Sequence, residues 1–403
     1  VSQKYPGGII SKTPPVTVGP VDGEGGSAPG IWTLTQALEL NKQGLWPKPI
    51  LEKQLWSWGL NVNGGLGLGD TVSRSSPVQV GGLTEWLKIA CGNRDSLAIK
   101  TNGTLWSWGV NTHGQLGLGD TAHRSSPVQV GALTTWYQVA AGDGQTIATK
   151  TDGTLWGWGN NYYGQLGRND VVYRSSPVQV GALTTWYQVA GGSNHSFATK
   201  TDGTLWSWGQ NNHGQLGLND TVNRSSPVQI GALTTWSQVV AGGYQCIAIK
   251  TDGTLWSWGR NNAGQLGLGD AISRSSPVQI GALTTWYEIA GGQEHSLALK
   301  TDGTLWSWGS NDNGRLGLND TANRSSPVQI GALTTWSKIA AGGDFSLAAK
   351  INGTLWSWGR NNQGQLGLGD TVYRSSPVQV GLLTTWLTLP KMPLSNASLA
   401  IKS

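Results

Sequence analysis

The tract Leu-Trp-Ser/Gly-Trp-Gly begins at Leu55, Leu105, Leu155, Leu205, Leu255, Leu305 and Leu355, a spacing of fifty residues held without drift. The tract Arg-Ser-Ser-Pro-Val-Gln keeps the same phase from Arg74 to Arg374, and Leu-Thr-x-Trp recurs from Leu83 to Leu383. A unit this short cannot bury a core by itself, so tandem copies must stack on one another to fold.

Within one unit, four short segments separated by turn signals read as strands, the content of one propeller blade. Residues 136–140 form the expected inner strand, and residues 146–150 the second. Thr151-Asp152-Gly153-Thr154 supplies an Asp-Gly hairpin before a third strand at 155–158. A long Gly- and Asn-rich loop leads to an outer strand at 177–180, where a leading proline suits an edge without a further partner.

Strand alternation puts Leu105 and Ser107 on one side and Trp106 and Trp108 on the other. In the second strand Ser96 and Ala98 oppose Leu97 and Ile99. Neighbouring copies can therefore pack large residues against small ones. The expectation is an all-β, closed seven-bladed propeller of four-stranded blades over residues 51–403, with residues 1–50 as an extended N-terminal arm.

The ends of the repeat region are out of phase: residues 52–58 enter at a third strand, while residues 386–389 and 398–402 supply a first and a second. Pairing of 398–402 with 54–58 is expected to complete one blade from both ends of the domain and close the ring.

Composition narrows the function classes. Charged residues make up 12% of the chain, against roughly 25% in a typical soluble domain. The net charge of +5 is spread at about one Arg and one Lys per unit, which argues against a nucleic-acid surface. Cys91 and Cys246 occupy different places in their units, so no disulfide framework is expected and the pattern points to a reducing compartment. No run of eighteen apolar residues suggests membrane insertion, and the N-terminus lacks the basic and apolar regions of a secretory signal, so export by that route is not expected.

The repeated G-x-N-x-x-G-Q-L-G-L-G-D, R-S-S-P-V-Q and A-G-G-x-x-H-S-L-A patterns resemble the regulator of chromosome condensation repeat family over residues 51–403. The resemblance implies a seven-bladed propeller. It implies no single activity, since members range from guanine-nucleotide exchange on a small nuclear GTPase to inhibition of β-lactamases. The Trp-rich W-S-W-G form is more similar to prokaryotic and viral members than to the eukaryotic exchange factor.

Residues 1–50 differ in character, being rich in Pro and Gly through Gly30. Thr33 or Thr35 as an N-cap, with Gly44 beyond the end, marks a short helix. Ser27 through Leu34, continued by Lys42 through Pro47, resembles a segment of structural proteins from marine and cyanobacterial phages. That resemblance implies an anchor to other virion proteins through Trp32, Leu34, Leu38, Leu45 and Trp46, set against a bland terminal tail packed on the domain.

Several motifs dissolve on inspection. The Gly64–Gly69 tract could cradle a phosphate, but it lies between two strands and recurs in every unit. Calcium-binding nonapeptides repeat every nine residues, whereas the Gly114–Asp120 tract occurs once per fifty. Asp120 and Arg124, like their six counterparts, read as a brace for a loop whose backbone groups need partners. The five histidines, His113, His123, His195, His213 and His295, have no recurring carboxylate or nucleophile beside them. No catalytic triad, metal site or cofactor is expected, and the chain reads as a non-enzyme.

The copies disagree chiefly in the loop between first and second strands and in the loop between third and fourth, which leave a blade on the same face. Neutral drift in exposed loops is the bland account. Against it, the varied side chains are types that stack on sugars or make directional hydrogen bonds. The candidate ligand contacts are Arg94, His113, Tyr162, Tyr163, Tyr173, His195, His213, Tyr244, Arg260, Glu294, Phe345, Arg360 and Tyr373.

Two functions remain open. One is an exposed phage virion protein, assembled in the host cytoplasm as a fibre, receptor-binding or capsid-decorating component, whose variable face binds a host surface glycan or protein. A homo-oligomer would suit a fibre, although residues 1–50 carry no heptads. The other is a soluble regulator or inhibitor of the same repeat family, the exchange-factor type included.

Overall fold

The computed structural model describes residues 52–390 and 395–403, together with the backbone of residues 4–5 and 8–9. The chain divides into two units, Val1–Glu52 and Lys53–Ser403. In the first, Lys4–Tyr5 pairs antiparallel with Gly8–Ile9. The helix expected near Thr33, and Trp32, Leu34, Leu38, Leu45 and Trp46, lie outside the described residues.

The second unit is a propeller of seven four-stranded antiparallel sheets. Blade 1 runs from Trp86 to Gln129 and blades 2 to 6 follow at intervals of fifty residues. Blade 2 is representative, with strands Trp136–Ala141, Gln145–Lys150, Leu155–Gly159 and Arg174–Gln179 from the inside outward. The outer strand thus begins three residues before the expected Pro177. A register shift between Gly157 and Gly159 lets Arg174 pair with Gly159, so the ladder resumes ahead of the proline. Among the described residues no helix is long and apolar enough to cross a membrane.

Blade 7 is built from both ends of the unit, in the order Trp386–Thr388, Ala397–Lys402, Gln54–Gly59, Arg74–Gln79. Its seam is in full register, from Gln54 opposite Lys402 to Gly59 opposite Ala397.

Between blades, large faces small. Leu97, Ile99 and Leu105 of blade 1 pack on Ala148, Trp136 and Trp158 of blade 2. The second Trp of each W-S-W-G tract is almost wholly buried, a burial that contributes about 1.5–3 kcal/mol for a large apolar side chain. Its indole Nε1 also donates to a loop carbonyl of the preceding blade, as Trp108 does to Gly65 and Trp158 to Gln115. A single side chain therefore fills the interface and latches it. The Leu-Thr-x-Trp residue sits edge-on to both tryptophans of its own blade, with Trp136 at 6.1 Å from Trp156 and 5.7 Å from Trp158.

Candidate functional site

The loop between third and fourth strands is long but internally fixed. In blade 1, Asn111 is fully buried; its Oδ1 accepts the Leu116 N–H, and its Nδ2 donates to the carbonyls of Asp120 and Ala122. Asp120 Oδ1 accepts the Ala122 N–H, and Oδ2 takes the Arg124 guanidinium at 2.5 Å. The same Asp–Arg pair recurs in every blade at 2.5–2.8 Å. Its role is the expected bracing: the backbone hydrogen bond to Ala122 and then the Arg124 contact hold the Asp120 carboxyl below its ordinary range.

This loop is tied to the loop between first and second strands of its own blade, as Val110 N–H donates to the Arg94 carbonyl and Asn160 N–H to that of Gly144. Both variable loops therefore share one face and a rigid footing. The hairpins at the opposite end are constant for a packing reason. Gly153 adopts φ +75°, and a Cβ there would collide with the carbonyl of Thr184 in the link to the next blade. Constancy of that hairpin reflects close packing, so it does not by itself distinguish the variable face as functional.

The expected contact residues separate into three groups. Arg94, Tyr162, Tyr173 and Tyr373 are exposed on the loop face, as is His123. His113, Tyr163, His213, Tyr244, Arg260, Glu294 and Arg360 are half-buried and engaged with one another or with neighbours. His113 meets Tyr173 edge-on at 5.4 Å, Tyr162 meets Tyr163 at 4.8 Å, and His213 meets Tyr244 at 5.5 Å. Arg260 pairs with Glu294 at 3.1 Å, and Arg360 with Asp344 at 3.0 Å. Asp344 also receives the buried Arg315 at 2.7 Å.

His195 and Phe345 are corrections. Both are fully buried at the start of a second strand and cannot meet a ligand on the face. That position is an interblade contact: Gln145 Nε2 donates to the Gly192 carbonyl, Gln245 Nε2 to that of Gly292, and His295 Nε2 lies 3.0 Å from Ser346 Oγ. Burial pushes the His195 imidazole down to about 3, so it is neutral.

A second varied belt escaped the sequence reading. The two residues after each inner-strand Trp differ between units: Leu87-Lys88, Tyr137-Gln138, Ser237-Gln238, Tyr287-Glu288, Ser337-Lys338 and their counterparts. They link adjacent blades. Lys88 Nζ donates to the Tyr137 carbonyl and lies 3.9 Å from that ring's centroid, Tyr137 is 5.9 Å from Tyr187, and Tyr287 Oη donates to Ser337 O at 3.1 Å. Inside the ring, inner strands line an axial channel of about 270 Å³ with residues such as Val139, Ala140, Ala190 and Ala241. Lys88, Gln138, Gln188 and Thr388 add polar groups to this lining. Among the described residues no group of three or more His, Cys, Asp or Glu gathers as for a metal.

A family model described as an RCC1-like domain matches residues 54–393. "Protein RCC2 homolog" of Danio rerio is 46% identical over 55 residues, which are 13% of this chain and 11% of that relative's length. A chain of the crystal structure of Kap60 bound to yeast RCC1 (Prp20) superposes with a TM-score of 0.78 at 22% identity, covering 88% of this chain and 89% of that one. Human WBSCR16 superposes with a TM-score of 0.78 at 23% identity, covering 87% and 99%. At these identities the structural likeness shows the fold.

Proposed function

The chain belongs to the RCC1-like domain family, and on that premise we propose that it is a non-enzymatic binding protein whose partner is held by the variable-loop face. One observation carries the reading: exposed Tyr162, Tyr173 and Tyr373 stand on loops fixed by the buried Asn and the Asp–Arg brace, and exposed Arg94 stands on the neighbouring loop, whose carbonyl at Arg94 accepts the Val110 N–H of such a loop. Aromatic and guanidinium groups on a rigid base bind without a large ordering cost.

In its sharper form, the partner is a host surface glycan or protein and the chain is an exposed phage virion component, joined to other virion proteins through residues 1–50. Tyrosines stack on sugar faces, and the segment from Ser27 to Pro47 resembles phage structural proteins. The second reading is a soluble protein-binding regulator. It is favoured by family membership and by likeness to yeast Prp20p, a structure described with that protein's binding to Gsp1p and histones (TM-score 0.78, 23% identity).

The test is binding of the full chain to an array of bacterial surface polysaccharides and, in parallel, to candidate proteins. Its control carries Arg94→Ala, Tyr162→Ala, Tyr173→Ala and Tyr373→Ala together. Glycan binding lost in the control supports the virion reading, and protein binding lost in the control supports the regulator. Binding equal in both proteins places the contact away from this face.

A further inference from the structure

The residue just before each second strand carries a side chain in six units, as Arg94, Asn194, Tyr244, Glu294, Asp344 and Asn396, and is Gly144 in the seventh. Several of these side chains fill the corner between neighbouring loops. Asn194 bonds Gln165 and Gln210, Glu294 pairs with Arg260, and Asp344 pairs with Arg315 and Arg360. Between blades 1 and 2 that filling is missing. Gly144 has φ +83°, and a Cβ on it would lie 3.0 Å from His113 Nδ1. Val110 stands opposite, where the loops of blades 4 and 6 have Arg260 and Arg360. The result is a recess of about 260 Å³ that opens on the loop face.

Its lining mixes donors and acceptors. Gln115, 2% exposed, accepts the His113 N–H through Oε1 at 2.9 Å, and its Nε2 has no hydrogen-bond partner among the described residues. The Asn93 amide donates to Asp143 Oδ1 at 3.1 Å, which leaves Asn93 Oδ1 and Asp143 Oδ2 as acceptors. On the basic side, Arg94 is exposed and joins no ion pair among the described residues, and His113 and His123 stand with it. His123 Nδ1 accepts the Asn111 N–H at 3.0 Å, so its Nε2 holds the ring hydrogen. Asp95 also borders the recess but brings no second negative charge. Burial, and then the charge of Asp143, hold its carboxyl well above the usual carboxylate range, and it lies across Gly92 from the Gly142 carbonyl, which it meets as an acid.

An anion entering this recess would meet Asp143, and a cation would meet Arg94. A hydroxyl group donates and accepts at once, so it suits both sides. The volume lies below the range of about 300–1,000 Å³ typical of sites for drug-sized ligands, which limits the occupant to a single ring. We propose that the recess binds one neutral pyranose unit, with its hydroxyls bonded to Gln115, Asn93, Asp143 and Arg94 and a C–H face against Val110. The proposal rests on the glycan reading of the loop face and names the class of sugar taken there. Exposed Tyr173, whose ring meets His113 edge-on at 5.4 Å, offers a stacking platform for a neighbouring unit of the same glycan.

The experiment titrates the full chain with the methyl pyranosides of glucose, galactose, mannose and N-acetylglucosamine, and with those of glucuronic acid and glucosamine as charged counterparts. Binding is read by saturation-transfer NMR, with the polysaccharide array run alongside. Wild type is expected to bind a neutral glycoside with a Kd on the order of 1 mM, the weak affinity of a one-ring ligand, and to bind both charged forms more weakly. Val110→Arg fills the recess with the residue found at this place in blades 4 and 6, and should abolish the signal. Asp143→Ala, at an exposed position, should weaken binding about tenfold, the worth of one hydrogen bond to a charged group. Melting curves check that both variants fold. No neutral glycoside bound by wild type, wild-type affinity kept by either variant, or a preference for a charged form overturns the proposal. If array polysaccharides bind while no glycoside does, the recess alone falls; if neither binds, the glycan reading falls with it.

Discussion

The indole Nε1 of Trp58 donates to the carbonyl oxygen of Gln365 at 3.0 Å, joining residues 307 positions apart. The same contact, 43 positions apart, links the other blades, from Trp108 with Gly65 to Trp358 with Arg315. The seam of the ring is therefore latched like every other joint. Trp58→Phe and Trp158→Phe should each lower stability by about 2–3 kcal/mol, because each loses a buried donor and leaves part of an indole-shaped space empty. The receiving carbonyls keep a second donor, Ser398 Oγ and Thr146 Oγ1, which limits the loss. Chemical denaturation midpoints check this. A neutral Trp58→Phe beside a costly Trp158→Phe would mean the seam carries no load.

Removal of residues 396–403 should have a larger effect than either latch. The strand Ala397–Lys402 lies between two others in blade 7, and its Leu399 and Ile401 pack with Leu55 in the core across the seam. Without it, the strand Gln54–Gly59 loses its inner partner and becomes an unpaired edge. A fall in melting temperature on the order of 10 °C or more is expected. An unchanged melting curve would show that the ring does not need this pairing.

The buried loop amides make a third test. Asn161 is fully buried, with Oδ1 accepting the Leu166 N–H and Nδ2 donating to the carbonyls of Asp170 and Val172. Asn161→Ala strands those backbone groups and should lower stability by about 2–4 kcal/mol, since each buried polar group left unpaired costs about 1–3 kcal/mol. Thr112→Ala, at an exposed loop position in blade 1, should stay within about 0.5 kcal/mol. Equal effects in urea denaturation would show that the amide does not organise the loop.

These contrasts mark what could be read from the sequence. A strict period with three tryptophans per unit forces stacked blades, because no other arrangement buries Trp108 and Leu105 from opposite faces of one strand. The Asp120–Arg124 brace was legible for the same reason: it recurs in phase. What recurs can be assigned a structural role, but what varies cannot be assigned without the neighbours. Arg260 and Glu294 look like free surface charges until the ring brings them to 3.1 Å. Lys88 and Tyr137 carry no motif, and only the adjacency of inner strands makes them a pair. His195 and Phe345 belong to loops in the sequence pattern, yet the strand starts one residue earlier and turns them inward. Asp95 is an oddity only once the carbonyl opposite Gln145 is known. Part of the variation therefore fits each blade to its neighbours, which leaves a smaller exposed set, Arg94, Tyr162, Tyr173 and Tyr373, on the face where a partner is proposed.

His195 gives the propeller a specific sensitivity to acid. Burial lowers its pKa from 6.5 to about 3, and burial likewise holds His295 well below that ordinary value. In the unfolded chain both bind a proton below about pH 6.5, while the folded protein refuses it until the pH is far lower. Stability is therefore complete above that pH and is lost as the pH falls through the window between the two pKa values. The buried His195 should remove about 2 kcal/mol by pH 5, at 1.36 kcal/mol per pH unit, and His295 acts in the same direction. The window from pH 6.5 to 5 lies above most of the titration of the bracing carboxylates, such as Asp120, whose pKa is lowered from 3.8 by the Ala122 N–H and Arg124. In His195→Gln the side chain found at this position in blades 2 and 4 replaces the imidazole, and it carries no proton to take up. The variant should match wild type near pH 7.5 and retain about 2 kcal/mol more stability at pH 5, read from urea midpoints at each pH. Parallel pH profiles for the two proteins would mean that His195 is protonated in the native fold, and the neutral buried imidazole would have to be abandoned.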